Sequence, residues 1–238
     1  MTARDRLILA LDLPSLEATE GMLKRLQGKI HLFKVGLELF TAEGPRVITR
    51  IHDRGGKVFL DLKLHDIPQT VAAAVAKAVQ WGVFMLDVHV AGGEEMMRAA
   101  AHAAADRAEA IGIERPRLLG VTVLTSLAQA DLQTLGIGQA LEEQVLSLAR
   151  LAKEAGLDGV VASPREAEAI RRRLGPDLLL VTPGIRSRVG EPDDQRRVAT
   201  ARDALKAGAD YIVVGRPILK AADPVEAVEK LVAEMETP

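Results

Sequence analysis

Eight short apolar runs, separated by stretches with helical character, constrain the fold of this 238-residue chain more than any other feature of its sequence. Short runs that are apolar on both faces are typical of strands in a buried parallel sheet. The runs occupy residues 7–11, 30–36, 58–64, 84–90, 118–124, 159–162, 178–181 and 211–214. Because parallel strands that alternate with helices can close into a barrel of about 250 residues, the sequence predicts an α/β fold, with residues 1–238 forming a single (β/α)8 TIM barrel.

The main rival to a closed barrel is an open, doubly wound sheet, which has the same alternation of strands and helices. A dinucleotide-binding sheet of that kind carries a G-x-G-x-x-G fingerprint after an early strand, and a P-loop carries G-x-x-x-x-G-K. Neither motif occurs in this sequence. Their absence favours the closed barrel over the open sheet.

Local signals place helices between the apolar runs. Ser15 is a predicted N-cap for a helix through about residue 26, because a serine side chain can accept a hydrogen bond from the first helical turn. Ser163 and Pro164 provide a cap and a first-turn proline for a later helix. A further helix is predicted over residues 42–54.

Charge and composition exclude several classes of protein. The chain has 31 Lys and Arg against 33 Asp and Glu, so its net charge of -2 creates no field that would attract nucleic acid or an anionic membrane. It has no cysteine, which excludes disulfides, thiolate catalysis and cysteine-based metal sites. The first apolar run is interrupted at Asp12 and is too short for a membrane span. We therefore predict a cytoplasmic protein that binds neither nucleic acid nor membranes.

Polar residues recur at the carboxyl ends of the predicted strands. A barrel brings these ends together at one face, where the active sites of such barrels are built. Strand ends near solvent are often polar, but lysines among leucines and valines favour a functional pocket. The residues at these positions are Asp12, Lys34, Asp61, Lys63, His89, Thr125, Arg186 and Arg216.

The third apolar run carries the densest cluster of charge. Side chains alternate between the two faces of a strand, so Asp61 and Lys63 are predicted to share one face, with the leucines between them on the other. On a solvated face this pair would be an exposed ion pair of little consequence. Inside a barrel, the two charges would strongly perturb each other's protonation.

The loops after the seventh and eighth runs suit a phosphate group. Loops at these positions in barrels commonly bind phosphate through backbone N–H groups, and an arginine adds a charge-assisted partner. Gly215 and Arg216 follow the eighth run, and Arg186 follows the seventh. The five histidines have no metal-ligand spacing, so we predict no metal site and interpret them as structural or surface residues.

The residues Asp61-Leu62-Lys63-Leu64-His65-Asp66-Ile67-Pro68 closely resemble the D-x-K-x-x-D signature of the orotidine 5'-phosphate decarboxylase family. Further blocks resemble the family in the same order along nearly the whole chain. They lie at residues 9–12, 33–36, 121–126, 182–186, 194–195 and 213–218. The resemblance implies conversion of orotidine 5'-monophosphate to uridine 5'-monophosphate and carbon dioxide, by a homodimeric barrel that needs neither metal nor organic cofactor.

The resemblance also implies a role for individual residues. Lys63 would be the cationic stabiliser and proton donor, with Asp61 beside it at the reacting carbon. Residues 184–194, which are polar and long for a barrel loop, are a candidate lid. The remaining implied contacts are Asp12 and Lys34 with the ribose, Asp66 and Thr70 with the partner subunit's site, Thr125 and Gln195 with the pyrimidine, and Arg186, Gly215 and Arg216 with the phosphate.

Two departures and two alternatives accompany this resemblance. Gln69 stands where the family tends to have Asn, and Ala201 stands where it tends to have Pro, at the start of a helix.

One alternative function is a magnesium-dependent sugar-phosphate decarboxylase or formaldehyde-fixing synthase of the same suprafamily, but Lys34 stands where an acidic metal ligand would be expected. The other alternative is a non-catalytic nucleotide-binding barrel, which would have no need of Lys63 between two acids.

Overall fold

Eight parallel strands close into a barrel in the computed structural model of the chain, which describes residues 1–186 and 197–236. Each strand pairs with the next in sequence, and β8 pairs with β1. The strands are β1 Leu7–Ala10, β2 Leu32–Gly36, β3 Lys57–Leu64, β4 Met85–His89, β5 Arg117–Val121, β6 Gly159–Val161, β7 Leu179–Thr182 and β8 Tyr211–Val214. This topology confirms the predicted (β/α)8 TIM barrel.

Helices connect the strands on the outside of the barrel. In the described ranges they are α1 Leu16–Arg25, α2 Leu37–Glu43, α3 Arg46–His52, α4 Pro68–Gln80, α5 Glu94–Ile111, α6 Gln129–Thr134, α7 Leu141–Glu154, α8 Pro164–Leu174, α9 Ala201–Lys206, α10 Arg216–Leu219 and α11 Pro224–Glu236. Ser15 and Ser163 cap α1 and α8 by accepting hydrogen bonds from the backbone N–H groups of Ala18 and Arg165, as predicted. No helix in residues 1–186 and 197–236 is long and apolar enough to cross a membrane.

The prediction of one helix over residues 42–54 is wrong. Two short helices, α2 and α3, occupy this region and meet at Gly44 and Pro45. Gly44 has a φ of 60°, which is outside the helical range, and Pro45 removes a backbone N–H donor. The fifth strand also ends at Val121, three residues earlier than predicted, so residues 122–124 belong to the loop that follows.

Ala201 starts a helix although it replaces the proline that the family tends to have. Thr200 lies at the N-cap of α9, and its hydroxyl accepts a hydrogen bond of 3.2 Å from the backbone N–H of Asp203. The cap satisfies the backbone N–H of Asp203, which a proline at position 201 would not do. Helix α9 therefore begins at the expected place without the proline.

The barrel interior changes in character from one end to the other. Aliphatic and aromatic side chains fill it toward the amino ends of the strands, including Ile8, Leu32, Phe59, Met85 and Leu119. A second and larger apolar layer lies between the strands and the helices. Toward the carboxyl ends, β2, β3 and β4 carry ionisable residues instead, and the candidate active site is built around those of β2 and β3.

Candidate active site

Charged side chains of alternating sign form a row across the carboxyl ends of β1, β2 and β3. The Lys34 ammonium lies 3.2 Å from a carboxylate oxygen of Asp12 and 3.2 Å from one of Asp61. The other oxygen of Asp61 accepts a hydrogen bond from the Lys63 ammonium. The parallel pairing of Gly36 on β2 with Asp61 on β3 brings the two lysines to the same carboxylate. Each of the four charges therefore has a neighbour of opposite sign.

Burial and ion pairing act in opposite directions at the centre of this row. The side chains of Lys34 and Asp61 are only 12% and 10% exposed. Burial alone would raise the pKa of Asp61, but attraction to Lys34 and Lys63 outweighs it and holds this pKa well below its usual range. Burial alone would lower the pKa of Lys34, but attraction to Asp61 and Asp12 raises it. Both groups are therefore charged at neutral pH.

Gly36 leaves room for the Lys34 side chain. A Cβ atom built on Gly36 would lie 2.8 Å from the Lys34 Nζ and 3.6 Å from a carboxylate oxygen of Asp12. The first distance is shorter than side-chain atoms tolerate, so a residue larger than glycine would displace the ammonium. The absence of a side chain at this position is thus part of what places Lys34 between two carboxylates.

The backbone of β3 is irregular where it carries the catalytic candidates. Leu60 pairs with Leu86 of β4, and the next paired residue on β3 is Leu64, opposite Val88. Four residues of β3 therefore cover two residues of β4, which is the signature of a bulge. Lys63 lies in this bulge and has a φ of 49°, the only positive φ of a non-glycine residue in the described ranges. A left-handed conformation is unfavourable for a lysine and must be held by its surroundings.

Asp87 supplies a contact that holds the bulge. One of its carboxyl oxygens accepts a hydrogen bond of 2.8 Å from the backbone N–H of Lys63. Its side chain is buried, and burial together with the adjacent negative charge of Asp61 raises the pKa of Asp87 well above its usual range. Asp87 is not among the site residues predicted from the sequence. Alternation along β4 could have found it, because Asp87 lies in phase with the inward-facing Met85.

The row of charges forms one wall of a cavity at the carboxyl ends of the strands. The cavity has a volume of about 220 Å³. Its charged lining comes from Asp12, Lys34, Asp61, Lys63 and Arg216, its apolar wall includes Phe59, Val121, Val161 and Val213, and Thr125 and Gly215 also line it. The barrel thus brings together seven of the predicted site residues, from strands one, two, three, five and eight. A pocket with one charged and one apolar wall suits a polar ring or sugar ligand.

Four predicted site residues are not in the lining of this cavity. Asp66 and Thr70 are exposed beyond the end of β3 and at the start of α4. Arg186 is buried at the base of the loop after β7, where its guanidinium donates a hydrogen bond to the carbonyl of Ile185. Gln195, and residues 187–194 of the predicted lid, lie outside the described residues. The predicted roles of these four residues stay predictions.

Two histidines lie close together beside the site. The rings of His65 and His89 are 5.5 Å apart between centroids. Burial lowers the pKa of the half-buried His89, and repulsion from the nearby Lys63 ammonium lowers it further. His89 is therefore neutral near pH 7 and adds no charge to the row formed by Asp12, Lys34, Asp61 and Lys63.

Comparisons with known proteins point to a single family. Residues 5–231 match the model of the family described as Orotidine 5'-phosphate decarboxylase / HUMPS. An orotidine 5'-phosphate decarboxylase of Moorella thermoacetica is 52% identical over 99% of this chain and 94% of the relative, and one of Trichlorobacter lovleyi is 51% identical over 98% of this chain and 96% of the relative. A crystal structure of orotidine 5'-phosphate decarboxylase from Lactobacillus acidophilus, 38% identical, superposes with a TM-score of 0.87 over 98% of this chain and all of that one. This chain therefore belongs to the orotidine 5'-phosphate decarboxylase / HUMPS family, as its motifs predict.

Proposed function

We propose that this chain converts orotidine 5'-monophosphate to uridine 5'-monophosphate and carbon dioxide, a step of pyrimidine biosynthesis. The alternating row of Asp12, Lys34, Asp61 and Lys63 along a cavity carries this proposal. Relatives that are 52% and 51% identical over nearly the whole chain are named after this activity, which supports the proposal. The reaction defines what chemistry the row has to perform.

Decarboxylation of a pyrimidine ring carbon has a specific electrostatic demand. When the bond between the ring carbon and the carboxylate breaks, the electron pair stays on the ring carbon in an orbital with no conjugated sink. A cofactor-free site must place positive charge beside this carbon and then deliver a proton to it. The ring carbon gains the proton and carbon dioxide leaves.

Lys63 is suited to both parts of this demand. Its ammonium lines the cavity and is held by Asp61, so a positive charge is in place before the bond breaks. We propose that the ammonium first stabilises the developing negative charge and then donates a proton to the carbon, after which the amine regains a proton from solvent. Lys34, on the far side of Asp61, keeps that carboxylate charged and fixed.

The part of the cavity at the end of β8, next to β1, suits the phosphate. Gly215 and Arg216 line it at the end of β8. We propose that the backbone at Gly215 and the guanidinium of Arg216 contact the phosphate, with Arg186 as a further contributor from the loop after β7. Thr125, in the loop after β5, would contact the pyrimidine, and Asp12 and Lys34 would contact the ribose. Phosphate contacts far from the reacting carbon contribute to catalysis by orienting the ring.

The position of Lys34 argues against a magnesium-dependent sister activity. Its ammonium lies 3.2 Å from the carboxylates of both Asp12, which follows β1, and Asp61 on β3, and both residues line the cavity. A divalent cation bound by these carboxylates would lie against the ammonium and be repelled. We therefore propose that turnover requires no metal.

An assay with chelated protein tests both parts of this proposal. We expect the purified chain to decarboxylate orotidine 5'-monophosphate, followed by the change in ultraviolet absorbance, at the same rate before and after exhaustive treatment with EDTA. Activity that disappears with EDTA and returns with Mg²⁺ would contradict the metal-free mechanism. Binding of uridine 5'-monophosphate without any turnover of the substrate would point to the non-catalytic barrel.

The exposed end of β3 suggests that the site is completed by a second copy of the chain. Asp66 and Thr70 are exposed and do not line their own cavity, and Ile67 between them is 67% exposed. Leu37, which follows the neighbouring strand β2, is 59% exposed. A contiguous patch of exposed apolar side chains is typical of an interface, and these two residues are candidates for such a patch. We propose a homodimer in which Asp66 and Thr70 contribute to the partner subunit's site.

Mixing two inactive variants tests this arrangement. Lys63→Ala and Asp66→Ala homodimers are each expected to be nearly inactive, whereas a heterodimer has one site with both Lys63 and Asp66 intact. Equal amounts with full subunit exchange are expected to recover about a quarter of wild-type activity, because half of the dimers are mixed and each has one intact site of two. Steady-state rates after mixing measure the recovery. No recovery, with exchange confirmed by mass spectrometry, would show that Asp66 does not act across the interface.

A further inference from the structure

Asp87 is an ionisable residue in the barrel interior that the proposed mechanism does not use. It lies on β4 and is 1% exposed, and it is not among the residues that line the cavity. It therefore cannot touch a bound ligand directly. Its contacts are instead with two residues that do line the cavity, the backbone of Lys63 and the carboxylate of Asp61.

The contact with Lys63 concerns the bulge of β3. Because four residues of β3 cover two residues of β4, the N–H of Lys63 does not take part in the regular ladder of β3 and β4. Asp87 accepts a hydrogen bond from this N–H at 2.8 Å. The φ of 49° at Lys63 has an energetic cost, so a specific partner is needed to keep this conformation populated. Loss of the contact would release the backbone that aims the Lys63 side chain.

The contact with Asp61 requires a proton. The second carboxyl oxygen of Asp87 is fully buried, and within residues 1–186 and 197–236 no donor reaches it. The neighbouring carboxylate of Asp61 interacts electrostatically with Asp87 and is kept charged by Lys34 and Lys63. Two adjacent buried carboxylates cannot both be charged at low cost. The proton belongs on Asp87, because burial and the negative charge of Asp61 both raise the pKa of Asp87. Its hydroxyl then donates to Asp61.

We propose that Asp87 is a positioning residue that acts as a neutral carboxylic acid, accepting a hydrogen bond from the Lys63 backbone and donating one to Asp61. The inference rests on the proposed decarboxylation. It assigns Asp87 the task of fixing both the lysine backbone and the carboxylate that holds the lysine side chain. A mutation outside the reacting atoms that displaces a catalytic group by about 1 Å is sufficient to lower a rate constant by about 10²-fold.

Two substitutions separate a neutral acid from a required negative charge. In Asp87→Asn, the amide oxygen can accept from the Lys63 N–H and the amide N–H₂ can donate to Asp61, so we expect kcat within about threefold of wild type. Asp87→Leu keeps the branched arrangement of the side-chain heavy atoms but makes neither hydrogen bond, and we expect kcat to fall by about 10²-fold with KM little changed. Val88→Ala, on the same strand but in the outer apolar layer, is the control for a general loss of packing in β4.

Infrared spectroscopy tests the protonation of Asp87 without relying on turnover. We expect a carbonyl band of a protonated carboxylic acid in wild type at neutral pH and its loss in Asp87→Asn. A protein without decarboxylase activity that retains this band would contradict the proposed function but not the neutral acid. Absence of the band, or an Asp87→Asn variant as slow as Asp87→Leu, would overturn the neutral acid. Wild-type kcat in Asp87→Leu would overturn the positioning role. If that variant does not fold, kcat of Asp87→Asn is the test, and a value far below the expected threefold range would overturn the proposal.

Discussion

Replacement of Lys63 by alanine is expected to lower the rate of decarboxylation by at least about 10⁴-fold, because one side chain would supply both charge stabilisation and the proton. Uridine 5'-monophosphate, which lacks the leaving carboxylate, makes its proposed contacts with the ribose and phosphate groups of the site. We therefore expect its dissociation constant to change by less than about tenfold. Stopped assays at high enzyme concentration measure the residual rate, and fluorescence or calorimetric titration measures the binding.

Lys57 provides a matched control for this experiment. It begins the same strand, β3, but lies at the opposite end of the barrel, where its ammonium is 4.7 Å from the centre of the Phe84 ring. Lys57→Ala removes the same chemical group from the same strand without touching the cavity, so its rate should remain close to wild type. A Lys63→Ala variant that kept near wild-type turnover would remove Lys63 from the mechanism.

Glu166→Ala is expected to have the largest effect on stability. Glu166 on α8 pairs with Arg197 at 2.7 Å, and the two side chains are only 5% and 6% exposed. The alanine variant would leave the arginine buried and without its counter-ion, which costs about 3–5 kcal/mol in the free energy of unfolding. Arg197 also donates 2.9 Å hydrogen bonds to the carbonyls of Val123 and Leu124, so the pair connects α8 to the wall of the cavity. Urea unfolding followed by circular dichroism measures the change.

An exposed ion pair of the same type is the control. Glu143 lies 3.3 Å from Arg173, and the two side chains are 52% and 45% exposed. Glu143→Ala should change the free energy of unfolding by less than about 1 kcal/mol, since solvent screens both charges. Equal effects of Glu166→Ala and Glu143→Ala would contradict the dependence on burial. Glu166→Leu combined with Arg197→Met should recover much of the loss, because it removes both buried charges together.

The sequence by itself determined the features that depend on neighbours along the chain. The alternation of apolar runs and helical stretches predicted the number and order of the strands, and side-chain alternation predicted that Asp61 and Lys63 share a face. Ser15 and Ser163 predicted the starts of α1 and α8, because a cap acts within one helical turn. The prediction of one helix over residues 42–54 failed because Gly44 and Pro45 interrupt the helical backbone. Both residues are visible in the sequence, so this break was predictable from local signals.

Only the tertiary structure decided which distant side chains meet and in what geometry. The hydrogen bond from the Lys63 backbone to Asp87 depends on the shift in register between β3 and β4, and no local pattern encodes that shift. The buried pair of Glu166 and Arg197 joins residues 31 positions apart, and either one alone resembles an ordinary surface charge in the sequence. Burial and the proximity of other charges set the protonation of Asp61 and Asp87, and both are properties of the closed barrel. The sequence therefore predicts a charged site, but the protonation states of its side chains are set only when the strands pair and bury them.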